Sequence, residues 1–201
     1  MSQHHDMFFK QTFSYHENAV DFLKFVLPAN LSQDIDYSSI KPEKTSHVDS
    51  SLSAYFADTV YSCQMKEKKI KIAFLFEHKS SRDYNLTFQL LRYIVNFWEN
   101  AARIKEKPAP VVPIVLYHGK ETWNPKNLHA QFKKLPDSVK PFIPDFQYIF
   151  IDLSAYSDED IKQRVIREVV KNNLPILLVL LSVFCVATMD EYVQYSSIVT
   201  P

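Results

Sequence analysis

Asp58-Thr-Val-Tyr-Ser-Cys-Gln-Met65 and Ile70-Lys-Ile-Ala-Phe-Leu-Phe-Glu-His-Lys79, joined by Lys66-Glu-Lys-Lys69, decide the fold. Both outer segments are rich in β-branched and aromatic residues, and the polar run between them is a turn, so the stretch is expected to be a β-hairpin. With the turn centred on Glu67 and Lys68, antiparallel pairing sets Asp58 directly opposite Glu77, with Cβ atoms roughly 5 Å apart. Alternation then points Lys79 to the same face as Glu77. Ile70, Ile72, Phe74 and Phe76 point one way; Ala73, Leu75, Glu77 and Lys79 point the other. The acidic pair therefore closes an otherwise apolar face.

Two facing carboxylates supply the hard oxygen ligands that Mg²⁺ or Mn²⁺ prefers, with water and phosphate completing the shell. A neighbouring ammonium can orient the attacking water or stabilise charge on a transferred phosphate. An acid followed by Glu-x-Lys has the form of a centre for metal-dependent phosphodiester cleavage. On spacing alone, a solvated cross-strand ion pair fits the same residues, and both readings stay open at this point.

Outward from the hairpin, His5 to Leu27 is expected to be helical, with a break near Ser14 and an apolar stripe of Phe9, Phe13, Val20, Leu23 and Leu27 that Pro28 ends. Leu31 to Ser46 is polar and predicts an irregular connection with at most a short turn of helix, and Val48 to Phe56 predicts a first strand. Beyond the hairpin, Asp83 is placed as the N-cap of a long helix from about Tyr84 to Lys105, with Leu86, Leu90, Tyr93, Ile94 and Phe97 on its buried side. Gln89 and Tyr93, one turn apart, both reach the sheet surface beside the hairpin. Val111-Val-Pro-Ile-Val-Leu-Tyr117 predicts an interior strand, with Pro113 best placed at its start because proline cannot donate to a ladder. A proline-punctuated, partly helical segment follows from Trp123 to Asp145, then a strand from Phe146 to Leu153 and a last helix opening at Ser157. The expected architecture is α/β, a mixed central sheet between helices.

Composition removes several classes. The chain has 201 residues, 46% of them apolar, enough for one domain with an ample core. Its one glycine, Gly119, excludes the glycine-rich phosphate loops of P-loop and dinucleotide-binding enzymes. With 23 basic and 23 acidic residues, attraction to nucleic acid must be local. The candidates are Lys66, Lys68, Lys69 and Lys71 at the hairpin tip, Arg82, and Arg103, Lys105 and Lys107 at a helix end. Cys63 and Cys185 lack the spacing of a disulfide framework or zinc site and are expected to be buried thiols in a reducing, cytoplasmic compartment. The first residues hold no apolar signal region. Leu174 to Met189 is apolar but short of the roughly 20 residues a spanning helix needs. It is expected to be a core helix, with a homodimer interface as the alternative, and no membrane partner is expected.

Six stretches in order, His5-Asp-Met-Phe-Phe-Lys10, Ala57-Asp-Thr-Val-Tyr61, Phe76-Glu-His-Lys-Ser80, Phe88-Gln-Leu-Leu-Arg-Tyr93, Pro113-Ile-Val-Leu-Tyr-His-Gly119 and Ile151-Asp-Leu-Ser154, carry a resemblance. The chain resembles the Rpn (recombination-promoting nuclease / putative transposase) proteins of the PD-(D/E)XK nuclease superfamily. The resemblance implies a restriction-endonuclease-like α-β-β-β-α-β core over residues 1–155, followed by a helical extension over 156–201 that is shorter than in most members. It implies a DNA endonuclease using Mg²⁺, or Mn²⁺, in DNA recombination or mobile-element activity. It carries over Asp58, Glu77 and Lys79 as the motif aspartate, glutamate and lysine, and Gln89 as the supporting helix residue. Asp6 matches a third metal-ligand position, with a helix N-cap as its alternative, and Asp49 matches a further acidic one. The competing expectation is a catalytically silent member of the same fold that binds nucleic acid or oligomerises.

Overall fold

The computed structural model describes Phe13 and residues 15–43, 59–66, 71–119 and 121–152. The predicted hairpin is the centre of a five-stranded mixed sheet. Its strands are β1 (Ile35–Pro42), β2 (Thr59–Met65), β3 (Lys71–Lys79), β4 (Val111–Tyr117) and β5 (Ile149–Asp152), lying side by side in chain order. β2 pairs antiparallel with both β1 and β3, while β4 pairs parallel with β3 and β5 parallel with β4. The helices are α1 (His16–Val26), the single turn α2 (Ala29–Ser32) and α3 (Leu86–Arg103). Single 3₁₀ turns lie at His129–Gln131 and Lys140–Phe142 in the proline-punctuated segment. The order α-β-β-β-α-β, with β5 added, is that of a restriction-endonuclease-like α/β core.

The two faces of β3 have different fates. Ile72, Phe74 and Phe76 join Tyr61, Cys63, Ile114, Leu116 and the apolar side of α1 in one core cluster. Ala73 and Leu75 join Val60, Val115, Tyr117 and the Leu86, Leu90 and Tyr93 side of α3 in a second. Helices thus cover both faces of the sheet, as the alternation requires. In the first layer, Phe76 sits edge-on to Phe13 and Phe22 at 5.1 and 5.3 Å. Full burial of such a ring is worth about 2 to 3 kcal/mol. On α3, buried residues at 86, 90, 93 and 94 form the stripe read from the sequence, and partly buried Phe97 extends it.

Three expectations change. Ile35–Pro42, read as irregular, is an edge strand. Its pairing with β2 shifts register between Asp36 and Lys41, and polar side chains supply bonds around the shift. Ser39 Oγ accepts the Gln64 N–H at 2.7 Å and donates to the Asp36 carbonyl at 2.6 Å. α3 starts at Leu86 with Asn85 at the cap position, while Asp83 accepts the Asn85 N–H at 2.8 Å. Pro113 lies inside β4 rather than at its start. The Pro110 carbonyl accepts from Ala73, and His118 N–H donates to Lys79, so the even-numbered residues of this strand face β3. Pro113 therefore turns its missing donor away from β3, at a level before the first β5 pair, Ile114 with Ile149.

Gly119 is required by close approach. A Cβ there would lie 2.1 Å from the Tyr117 hydroxyl, which donates to the Glu121 carbonyl at 2.7 Å. The Val48–Phe56 strand, the helix from Ser157, Leu174 to Met189 and the domain boundary at 155 lie outside the described residues. Among the described residues, no helix is long and apolar enough to cross a membrane.

Candidate functional site

β3 delivers Glu77 and Lys79 to the sheet face that α3 covers. Their β4 neighbours are Val115 and Tyr117, both in the second core cluster. The Glu77 side chain is 7% exposed and that of Lys79 15%. An ionised pair so withdrawn from water persists only when each partner is compensated. Lys79 Nζ lies 3.2 Å from Glu77 Oε1 and 2.9 Å from Asp83 Oδ2, and donates to Gln89 Oε1 at 2.6 Å. Gln89 completes the ring from the first turn of α3, its Nε2 donating to Glu77 Oε1 at 2.8 Å and also to the Tyr93 hydroxyl. One amide thus holds acid and ammonium together, its oxygen on the cation and its nitrogen on the anion.

Burial acts to lower the Lys79 pKa, but the Coulombic pull of Glu77 and the hydrogen bond to Asp83 outweigh it and hold the ammonium above the usual lysine range. For Asp83, burial acts upward; the hydrogen bonds from Lys79 and the Asn85 N–H prevail and keep its carboxyl below the usual range. At neutral pH the centre is therefore a protonated Lys79 facing ionised Asp83.

The structure brings together Glu77, Lys79 and Gln89 of the sequence-derived set, with Tyr93 where its one-turn spacing from Gln89 placed it. Asp58, Asp6 and Asp49 lie outside the described residues. The hairpin register itself is the expected one: Thr59 pairs with Phe76, Val60 with Leu75 and Tyr61 with Phe74. Asp83 is the member that sequence reasoning assigned a capping duty alone. Its four-residue spacing from Lys79, with a carboxylate in the loop closing over the strand end, was the available signal. Three of the eight expected basic candidates are engaged within the chain. Lys66 Nζ donates to the Gln33 carbonyl, Lys71 pairs with Glu43 at 2.8 Å, and Arg82 pairs with Glu121 at 2.9 Å.

Among the described residues, no three His, Cys, Asp or Glu side chains converge, so an all-protein metal cage is not what this face offers. Mg²⁺ is ordinarily held by only one or two carboxylates, with water and substrate phosphate filling its shell. Buried, oriented Glu77 suits that demand as one hard oxygen ligand.

A mixed sheet between helices defines a restriction-endonuclease-like α/β protein, and on its α3-facing side a Glu-x-Lys strand end is braced by a glutamine. The chain belongs to the family described as "Putative transposase, YhgA-like", which matches residues 3–180. It is similar to "Recombination-promoting nuclease RpnD" of Escherichia coli O157:H7, 28% identical over 161 residues, covering 79% of this chain and 62% of that protein. It is also similar to "Inactive recombination-promoting nuclease-like protein RpnE" of Escherichia coli K12, 28% identical over 163 residues, 81% of this chain and 54% of the relative. "Recombination-promoting nuclease RpnA" of the same strain is 32% identical over 125 residues, 62% of this chain and 43% of the relative. The matched part thus spans roughly half the length of these relatives. No solved structure matches the chain.

Proposed function

We propose that this chain is a metal-dependent endonuclease that hydrolyses phosphodiester bonds of DNA, acting in the cytoplasm in DNA recombination or mobile-element activity. The observation that carries the reading is the buried Glu77–Lys79 pair clamped by Gln89 on the α3-facing side of β3. The names of relatives called recombination-promoting nucleases support it. The described ladder ends at the pair Thr59 and Phe76, next to Glu77, and Val60 lies buried in the α3-facing cluster, which supports the expected hairpin register.

In this reading Asp58 and Glu77 hold a Mg²⁺ or Mn²⁺ ion, with Asp6 as a third ligand. A bound divalent cation supplies Lewis-acid polarisation of the phosphate and a water of lowered pKa. Lys79, kept protonated by Glu77 and Asp83, orients the attacking water and donates to a phosphate oxygen as negative charge builds. Gln89 fixes Glu77 and Lys79 relative to one another, so neither must reorganise during the reaction.

The test is plasmid nicking with and without Mg²⁺, comparing unaltered protein with Asp58→Ala. Mg²⁺-dependent nicking lost in the variant, with the fold intact by circular dichroism, is the expected result; undiminished cleavage by the variant removes the assignment. A relative named inactive favours one rival, a silent module that binds DNA on the same fold. That rival predicts binding that survives EDTA and no nicking under any condition.

A further inference from the structure

Beside the centre lies a cleft of about 450 Å³ that the proposed chemistry does not use. Its walls come from the loop that opens α3 and from the segment between β4 and β5. Three cations line it, Arg82, Lys126 and Lys133, against one carboxylate, Asp83, and that carboxylate is committed to Lys79 at 2.9 Å. Lys126 and Lys133 are exposed, and neither has an ion-pair partner among the described residues. Arg82 is held in place by Glu121 at 2.9 Å and the Thr122 carbonyl at 2.7 Å. Tyr84, also in the lining, is 78% exposed. The opposite wall is fixed, because Trp123 is 7% exposed and its backbone N–H donates to Asp152 Oδ2 at 3.0 Å.

We propose that this cleft seats the nucleotide flanking the scissile phosphate on a single DNA strand, with Lys126 and Lys133 on its phosphates and Tyr84 stacked on its base. The proposal rests on the endonuclease reading and deepens it. The volume falls in the ordinary range for small-ligand sites, roughly 300 to 1,000 Å³, and suits one nucleotide unit rather than a duplex. Unpaired lysines beside a free aromatic face are the combination by which proteins track a strand, cations on the backbone and rings under the bases. The position is right for a substrate in transit, since Asp83 belongs both to the cleft lining and to the Lys79 clamp. Strand entering here would meet the ammonium without crossing the sheet.

The test measures binding in EDTA, where cleavage plays no part, using a fluorescein-labelled single-stranded 20-mer and the matching duplex. Lys126→Ala with Lys133→Ala is compared with a charge-matched control, Lys24→Ala with Lys41→Ala, exposed on α1 and on edge strand β1. We expect the cleft variant to bind the single strand roughly tenfold more weakly and the slope of log affinity against log salt to fall by about 1.4, two contacts' worth, with the control unchanged. An oligonucleotide carrying 2-aminopurine should be quenched on binding by unaltered protein and by Tyr84→Phe, but not by Tyr84→Ala. Unaltered single-strand affinity in the cleft variant, an equal loss in the control, or a loss confined to the duplex overturns the proposal. Because Asp58→Ala reads nicking and this experiment reads metal-free binding, failure of the cleft and failure of the endonuclease reading are told apart.

Discussion

Replacing Lys79 by Met keeps the aliphatic stem that packs between β3 and α3 and removes only the ammonium. What remains is Glu77, 7% exposed in its side chain, and Asp83, 29% exposed, both having lost their cation. Breaking a buried pair by deleting one partner costs about 3 to 5 kcal/mol, because the other charge is left uncompensated. The lower end applies here, since Asp83 can turn to water and Gln89 still donates to Glu77; we expect about 3 kcal/mol. With a urea slope of about 2 kcal/mol per molar, the unfolding midpoint falls by about 1.5 M. Urea titration followed by far-ultraviolet circular dichroism reads it. Adding Glu77→Gln to Lys79→Met should recover most of the loss, leaving roughly 1 kcal/mol. A midpoint shift under about 0.3 M, or no recovery in the double variant, would refute the claim that the pair is desolvated and mutually compensating.

The raised Lys79 pKa and lowered Asp83 pKa set signs for pH dependence. Lys79 contributes stability that is full below the unfolded lysine value of about 10.4 and fades as pH rises through its higher folded value, while the Asp83 contribution is full above about 3.9 and fades as pH falls through its lower one. The stability difference between unaltered protein and Asp83→Asn, measured by urea titration, should thus hold steady from about pH 5 to 9 and shrink below about pH 4. Gly119→Ala should displace Tyr117 from its bond to Glu121 and its 5.0 Å edge contact with Trp123. A cost of about 3 kcal/mol and a change in tryptophan emission are expected. Burial pushes the Cys63 thiol up to about 12, so peptide mapping after iodoacetamide should find Cys63 unmodified in native protein and modified in urea.

The hairpin was readable because everything that fixes it is local: β-branched and aromatic runs, a polar turn between them, and a two-residue alternation that one buried face enforces. From that register followed the side of the sheet on which Glu77 and Lys79 lie, and the stripe on α3 that carries Gln89 to them. β1 was not readable. Ile35–Pro42 holds Asp36, Ser38, Ser39 and Pro42, the composition of a loop, because around an edge-strand bulge those side chains take over part of the hydrogen bonding that a regular ladder would provide. The clamp by Asp83 was obscured for a related reason. Its residue type before a helix signals capping, and one of its oxygens does serve the Asn85 N–H; only the three-dimensional path of the loop brings the other to Lys79. The cleft beside it depends on the segment from Thr122 to Lys133, whose single short turn carries no periodicity to announce which elements it meets.

The central claim is that two carboxylates at the hairpin's end share a divalent cation. Calorimetric titration of Mn²⁺ into the unaltered chain, into Glu77→Gln and into Asp58→Asn tests it without invoking cleavage. The account predicts saturable binding by the unaltered chain and its loss in both variants, each of which keeps its fold. Equal binding by all three proteins, or none by the unaltered one, would contradict it.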